Sequence, residues 1–144
     1  MHPLKITICG NFWDSQLYKG RLYLWDMDNV LRIYDWDSLI ASLGKNEEQL
    51  RLPLECAFSR GNLLYRASEM SVIFHDSQVR SLISSRFKKC ALRKWVMELD
   101  EIDEFLLGRQ DNPVPELPDD TALYYDSLYS LTQGGLFSTG AHKN

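Results

Sequence analysis

The sequence predicts a β-rich α+β fold, and three observations predict it. A tyrosine-marked segment occurs twice, 106 residues apart: Asp14-Ser15-Gln16-Leu17-Tyr18 leads to Leu22-Tyr23 and Val30-Leu31, and Asp120-Thr121-Ala122-Leu123-Tyr124 leads to Leu128-Tyr129 and Leu136-Phe137. Self-similarity at a distance means one supersecondary unit used more than once. The first copy contains two aromatic and β-branched runs around a short polar turn, the pattern of a β-hairpin. Between the copies lies a stretch with helical rather than strand periodicity.

Taken in order, Leu4 to Cys9 alternates, with Leu4, Ile6 and Ile8 on one face, and reads as a half-buried strand ended by Gly10-Asn11. Arg21 to Tyr34 reads as the hairpin. Its arms are Leu22-Tyr23-Leu24-Trp25 and Val30-Leu31-Arg32-Ile33-Tyr34, and Asp28-Asn29 between them tolerates the positive φ of a tight turn. Asp37 is placed as a helix N-cap, with Gly44 closing that helix two turns later. A degenerate second unit is read 42 residues after the first, Leu64-Tyr65 matching Leu22-Tyr23 and Val72-Ile73 matching Val30-Leu31, although Cys56 and Met70 replace the flanking aspartates. Pro53 argues against a long helix from Glu47 to Phe58. Asp76 opens an amphipathic helix with Val79, Leu82, Ile83 and Phe87 at helical spacing. After it the charge reverses, five acids falling between Glu98 and Glu104, and a proline-rich acidic loop covers 111–120.

The 144 residues are expected to form a single domain with sub-regions 1–44 (β-hairpin unit), 45–75 (degenerate β unit), 76–110 (helical insert), 111–120 (Pro/acidic loop) and 121–144 (partial β unit). Hydrophobic residues make up 44% and aromatics 12%, enough for a packed core and too much for disorder. A net charge of −4 gives no global pull on nucleic acid or on an anionic membrane. Three cysteines, Cys9, Cys56 and Cys90, are no disulfide framework; they read as reduced thiols in a cytoplasmic protein. No signal peptide, no membrane-spanning run, no zinc spacing and no cofactor motif is visible.

Hairpins at this spacing resemble the blades of β-propellers of the WD40 or kelch kind. The stretch 21–37 resembles a blade's inner strands, and so does 128–137, where Gly134-Gly135 supplies the turn. The dipeptide Trp-Asp occurs at 13–14, 25–26 and 36–37. The resemblance implies antiparallel blade-like hairpins at both ends with a helical middle. Three units do not close a ring, which takes at least four blades. The chain then reads as a piece of a larger propeller, as a sheet completed by another subunit, or as an ordinary α+β sheet.

Asp14, Asp26, Asp28, Asp35 and Asp37 lack the offsets of a calcium loop, and turn and cap duties account for Asp28 and Asp37. His75-Asp76-Ser77 are adjacent and so cannot aim at one another as a catalytic triad. Cys90 among Lys88, Lys89, Arg93 and Lys94 has the basic neighbours of an activated thiolate but no base. The basic set Arg80, Arg86, Lys88, Lys89, Arg93 and Lys94 suits phosphate contacts. The aromatics Tyr23, Trp25, Tyr34, Trp36 and Tyr129 suit a partner-binding surface. The reading is a non-catalytic protein-interaction or scaffolding module in a larger assembly, with a protein partner or a second copy and no membrane. The alternative is a nucleic-acid-associated accessory protein using the basic 80–94 segment.

Overall fold

The computed structural model describes residues 4–45, 47–58, 75–111 and 116–140. In chain order the elements are β1 (Ile6–Ile8), β2 (Phe12–Tyr18), β3 (Arg21–Asp26), β4 (Val30–Asp35), α1 (Trp36–Lys45), α2 (Glu48–Phe58), α3 (Ser77–Leu92), β5 (Trp95–Met97), α4 (Leu99–Ile102), a 3-10 turn (Asp103–Phe105), β6 (Leu106–Asp111), β7 (Asp120–Tyr124), β8 (Ser127–Thr132) and β9 (Gly135–Gly140). Helices and sheets are both present, as an α+β fold requires. They form two compact units, one of Met1–Cys9 with Trp36–Phe105, the other of Gly10–Asp35 with Leu106–Asn144.

The first unit is helical around a small parallel sheet. β1 pairs with β5, Ile6 opposite Trp95 and Ile8 opposite Met97. In α1, Trp36, Leu39, Ile40 and Gly44 are buried at helical spacing. The helix begins at Trp36, one residue before the expected cap, so Asp37 stands in the first turn, where a negative charge favours the helix dipole. Gly44 does not close the helix either. It is buried inside α1, and a Cβ there would meet the Arg51 backbone at 2.9 Å. Its function is close approach of α1 and α2.

The doubt raised by Pro53 is overturned: α2 runs through it. Proline in a helix interior forfeits a hydrogen bond and crowds the preceding turn. Here its ring is fully buried beside Leu50 and Leu54, so packing offsets that loss. The Trp36 indole N–H donates to the Phe58 carbonyl at 2.8 Å, tying the start of α1 to the end of α2. α3 begins as expected, with the Asp76 carboxylate accepting from Gln78 N and Val79 N. Its apolar face is narrower than the sequence suggests: Cys90 is buried, Val79, Ile83 and Phe87 are half-buried, and Leu82 is 55% exposed.

Two boundaries move. Residues 48–58, read as part of a degenerate β unit, are helical. The matches at Leu64-Tyr65, Met70 and Val72-Ile73 lie outside the described residues. The 76–110 insert contains strands β5 and β6 as well as helix.

The second unit holds two antiparallel sheets, ordered β2-β3-β4-β6 and β7-β8-β9. The repeat is a repeat of structure. β2-β3-β4 and β7-β8-β9 are the same meander, β3 and β8 being six residues each and 106 apart, β4 and β9 six residues each and 105 apart. Their first turns match as well. Lys19-Gly20 and Tyr125-Asp126 all have positive φ, the requirement of a two-residue turn whose twist suits a hairpin. The expected β3–β4 hairpin forms with Leu22 opposite Tyr34 and Trp25 opposite Leu31. Asn29 takes the left-handed conformation at φ +62°. Asp26 organises that turn, its carboxylate accepting from Asp28 N at 3.1 Å, Val30 N at 3.0 Å and Arg32 Nε at 3.3 Å.

Tyr23, Trp25, Leu31 and Ile33 project from one face of the four-stranded sheet and bury Leu128 from the other sheet, with Trp13, Tyr18 and Leu123 packed around them. Polar clasps join β2 to β7. The Gln16 amide donates to Thr121 O and, at 2.8 Å, to Thr121 Oγ1, and accepts from Leu123 N at 3.1 Å. Thr121 Oγ1 in turn donates to the Asp14 carboxylate. At the matching turns, Lys19 bridges to Asp126, which holds the ammonium above its ordinary pKa, and Asp126 N donates to Tyr18 Oη.

Candidate interaction surface

The three-stranded sheet has two unlike faces. Alternation along β7 and β8 turns Thr121, Leu128, Ser130 and Thr132 inward, and all four are buried. The other face carries Ala122 and Tyr124 on β7, Tyr129 and Leu131 on β8, and Leu136 and Ser138 on β9; Ala122 pairs with Tyr129, and Leu131 with Leu136. That face is open. Tyr124 is 61% exposed, Leu131 48% and Leu136 68%. Tyr125, at the β7–β8 turn, packs edge-on against Tyr124 with ring centres 4.4 Å apart, extending the apolar strip. Contiguous exposed apolar surface of this kind marks interaction sites, whereas single exposed leucines do not. The β8–β9 turn is Gln133-Gly134, one residue earlier than the expected Gly134-Gly135; Gly135 opens β9 opposite Thr132, at φ +132°.

The aromatic set inferred from sequence falls elsewhere. Tyr23, Trp25, Tyr34 and Trp36 are buried, Trp25 and Tyr34 completely. They pack the interior and present nothing to a partner. Of the five, Tyr129 stands on the open face, half-buried. The reason is physical: β3 and β4 bury apolar side chains on both faces of the sheet, so aromatic content measures core size there. Sequence analysis missed Leu131 and Leu136. A signal for them existed in the repeat, because Leu131 and Leu136 stand where Trp25 and Leu31 stand in the first copy.

The six basic residues do not form one patch. At about 100° per residue, Arg80, Lys88, Lys89 and Arg86 spread over some 240° of α3, so no single helix face collects them. Arg93 lies beyond the helix, pairs with Glu47 and stacks its guanidinium 4.4 Å from the centre of the Trp95 ring. Lys89 reaches Gln49 at 3.4 Å. In the acidic run, Glu98 and Glu101 cap α4 through the bond from Glu98 N to the Glu101 carboxylate, 2.7 Å.

Burial raises the Cys90 thiol above its ordinary pKa despite a hydrogen bond from Trp95, the opposite of activation. Burial likewise pushes Cys56 up to about 11, and Glu98 raises Cys9. Asp76 is occupied as a cap, and Asp14 and Asp26 are occupied by Thr121 and by the β3–β4 turn. Among the described residues no three His, Cys, Asp or Glu side chains gather as metal ligands. A groove of about 330 Å³ in the helical unit is floored by Leu39, Ile102 and Phe105 and rimmed by Arg93, Glu47 and Glu101. Arg93 and Glu47 neutralise each other there.

No protein-family model, no curated protein and no solved structure matches the chain.

Proposed function

We propose that this chain is a non-catalytic protein-interaction module whose contact surface is the open face of the β7–β9 sheet. One observation carries the reading. Positions that are core in the first meander lose their cover in the second: Tyr23, Trp25 and Leu31 are buried, whereas their equivalents are half-buried at Tyr129 and exposed at Leu131 and Leu136. In the first meander the opposing sheet covers that face through Leu128. The second meander keeps the apolar residues without such a cover among the described residues, and burying exposed apolar area is what drives association.

Read this way, the two meanders are blade-like sheets of a scaffolding component in a larger assembly, and the three unpaired thiols suit the cytoplasm. A nucleic-acid role through Arg80 to Lys94 finds less support, because those charges are dispersed around α3 or engaged by Glu47 and Gln49.

The test is site-specific photo-crosslinking in the cells that make the protein, with a photoreactive phenylalanine analogue replacing Leu136, Leu131 or Tyr124. Protein adducts are expected at these positions and not at Lys5 or Glu55. A folded chain that yields no adduct from any of the three refutes the reading.

A further inference from the structure

We propose that two copies of this chain associate through β9, edge to edge and antiparallel, about a twofold axis. The proposal rests on the interaction reading above and names the partner.

The first argument is the repeat. The third strand of the first meander, β4, carries a fourth antiparallel strand, β6, in register from Val30 opposite Asp111 to Tyr34 opposite Leu106. β9 is the counterpart of β4, yet among the described residues only β8 pairs with it. The chain itself therefore displays what covers such an edge, namely an antiparallel strand.

The second argument is what β9 lacks. Natural edge strands are kept from pairing by charges, prolines and bulges. The sequence Gly135-Leu-Phe-Ser-Thr-Gly140 contains neither charge nor proline, and its register with β8 runs unbroken over six pairs. β6, at the edge of the other sheet, has Arg109 and Asp111, and its pairing with β4 shifts register between Ile33 and Tyr34.

The third argument selects a second copy as the occupant. In a twofold antiparallel pair, residues near the axis meet their own kind, so any charge there faces a like charge. An uncharged strand is what self-pairing demands. Side chains keep to their own face only when the paired residue numbers are both odd or both even. An axis at Phe137 satisfies this, placing Phe137 against Phe137 of the second copy and Leu136 against its Ser138. Phe137 is 39% exposed and Leu136 68%, so the junction covers the two largest side chains of the strand. The product is one six-stranded sheet, with the open faces of both copies side by side.

Sedimentation equilibrium of the full chain tests this. The mass is expected to rise with concentration from 16.8 kDa to twice that value. The double variant L136K/S138K sets lysine against lysine across the axis, and L136E/S138E sets glutamate against glutamate. Each is expected to stay a monomer, and an equimolar mixture to regain the doubled mass. Both positions are exposed, so far-ultraviolet circular dichroism is expected to be unchanged. Amide exchange of Leu136 and Ser138, whose N–H groups point away from β8, needs no variant in the unaltered chain: protection is expected at high concentration and its loss on dilution. A wild-type chain that is monomeric throughout with dilution-independent exchange overturns the proposal, as do double variants that still double in mass. Crosslinks from Leu136 to a protein of another mass, with a monomeric chain, would overturn self-pairing and leave the interaction reading standing.

Discussion

Gln16 is the side chain through which the two copies of the meander hold each other, and its replacement gives the sharpest test of that arrangement. Its amide donates to Thr121 O and Oγ1 and accepts from Leu123 N, so one side chain satisfies two backbone groups of β7. Gln16→Ala removes these bonds and strands the Thr121 carbonyl and the Leu123 N–H in a partly buried seam. At about 1 kcal/mol net per bond, less some relief from solvent, the loss is roughly 2–3 kcal/mol. For a chain of this length that is a melting shift of about 5–10 °C. Gln16→Glu separates donor from acceptor. It still accepts from Leu123 N, but it turns a carboxylate toward the Thr121 carbonyl and the neighbouring Asp14. At neutral pH its cost is therefore expected to match that of alanine, although the shape is preserved. Below about pH 4 the protonated acid can donate, and part of the stability returns relative to wild type under the same conditions. Urea unfolding followed by tryptophan emission, with amide exchange across β7, measures both variants. If Gln16→Ala and Gln16→Glu both fall within about 0.5 kcal/mol of wild type, side-chain clasping of the meanders is wrong.

Three further outcomes follow from the same geometry. Gly44→Ala places a methyl 2.9 Å from the Arg51 backbone, so α1 and α2 must part; a net loss of about 1–2 kcal/mol in urea unfolding is expected despite alanine's better helix propensity. Asp26→Asn keeps the acceptor for Asp28 N and Val30 N but loses the charge facing Arg32, for about 1 kcal/mol, whereas Asp26→Ala also strands both N–H groups, for about 3 kcal/mol, and equal costs for the two variants would contradict the assigned role. Burial raises the Cys56 thiol from 9.0 to about 11, so the folded state disfavours the thiolate: stability is whole below pH 9 and falls by roughly 2–3 kcal/mol as pH rises through 11, a slope that Cys56→Ala is expected to flatten in pH-dependent unfolding.

What was legible in the sequence was local or repeated. The β3–β4 hairpin follows from alternation around Asn29, and the α3 start follows from the reach of Asp76 to the next free N–H groups. The meander pair follows from matching tyrosines and apolar residues about 106 apart, because two segments with the same alternation and the same two-residue first turn pair in the same register. What stayed hidden depends on tertiary neighbours. Pro53 inside α2 is tolerated only because its ring is packed, and no window of sequence reveals that packing. β6 carries Gly108, Arg109 and Gln110, which have little strand propensity of their own; pairing with β4 makes them a strand. The aromatic residues were misplaced for the same reason. Tyr23 and Tyr34 lie on opposite faces of one sheet, and period-two alternation cannot tell a covered face from an open one.

The two meanders share a register and differ in which face is covered, and that difference ties the fold to the proposed function. Trp25 opposes Leu31 in the first copy, and Leu131 opposes Leu136 in the second, at equivalent places on equivalent strands. If the second copy had only to stay folded and soluble, polar residues would serve there, as Ser138 does at the position of Ile33. The inward face of the same sheet carries hydroxyls under cover: Thr121, Thr132 and Ser130, the last at the position of Leu24, are buried, and Leu128 supplies the contact with the aromatic cluster. Hydroxyl-bearing side chains thus sit where burial needs apolar ones, and leucines sit where solvent would accept hydroxyls. Such an inversion lowers the stability of an isolated sheet, since it buries polar groups and hydrates apolar ones. It becomes favourable once another surface covers Leu131 and Leu136, and pairing through the uncharged edge of β9 would set two such faces side by side as one larger surface.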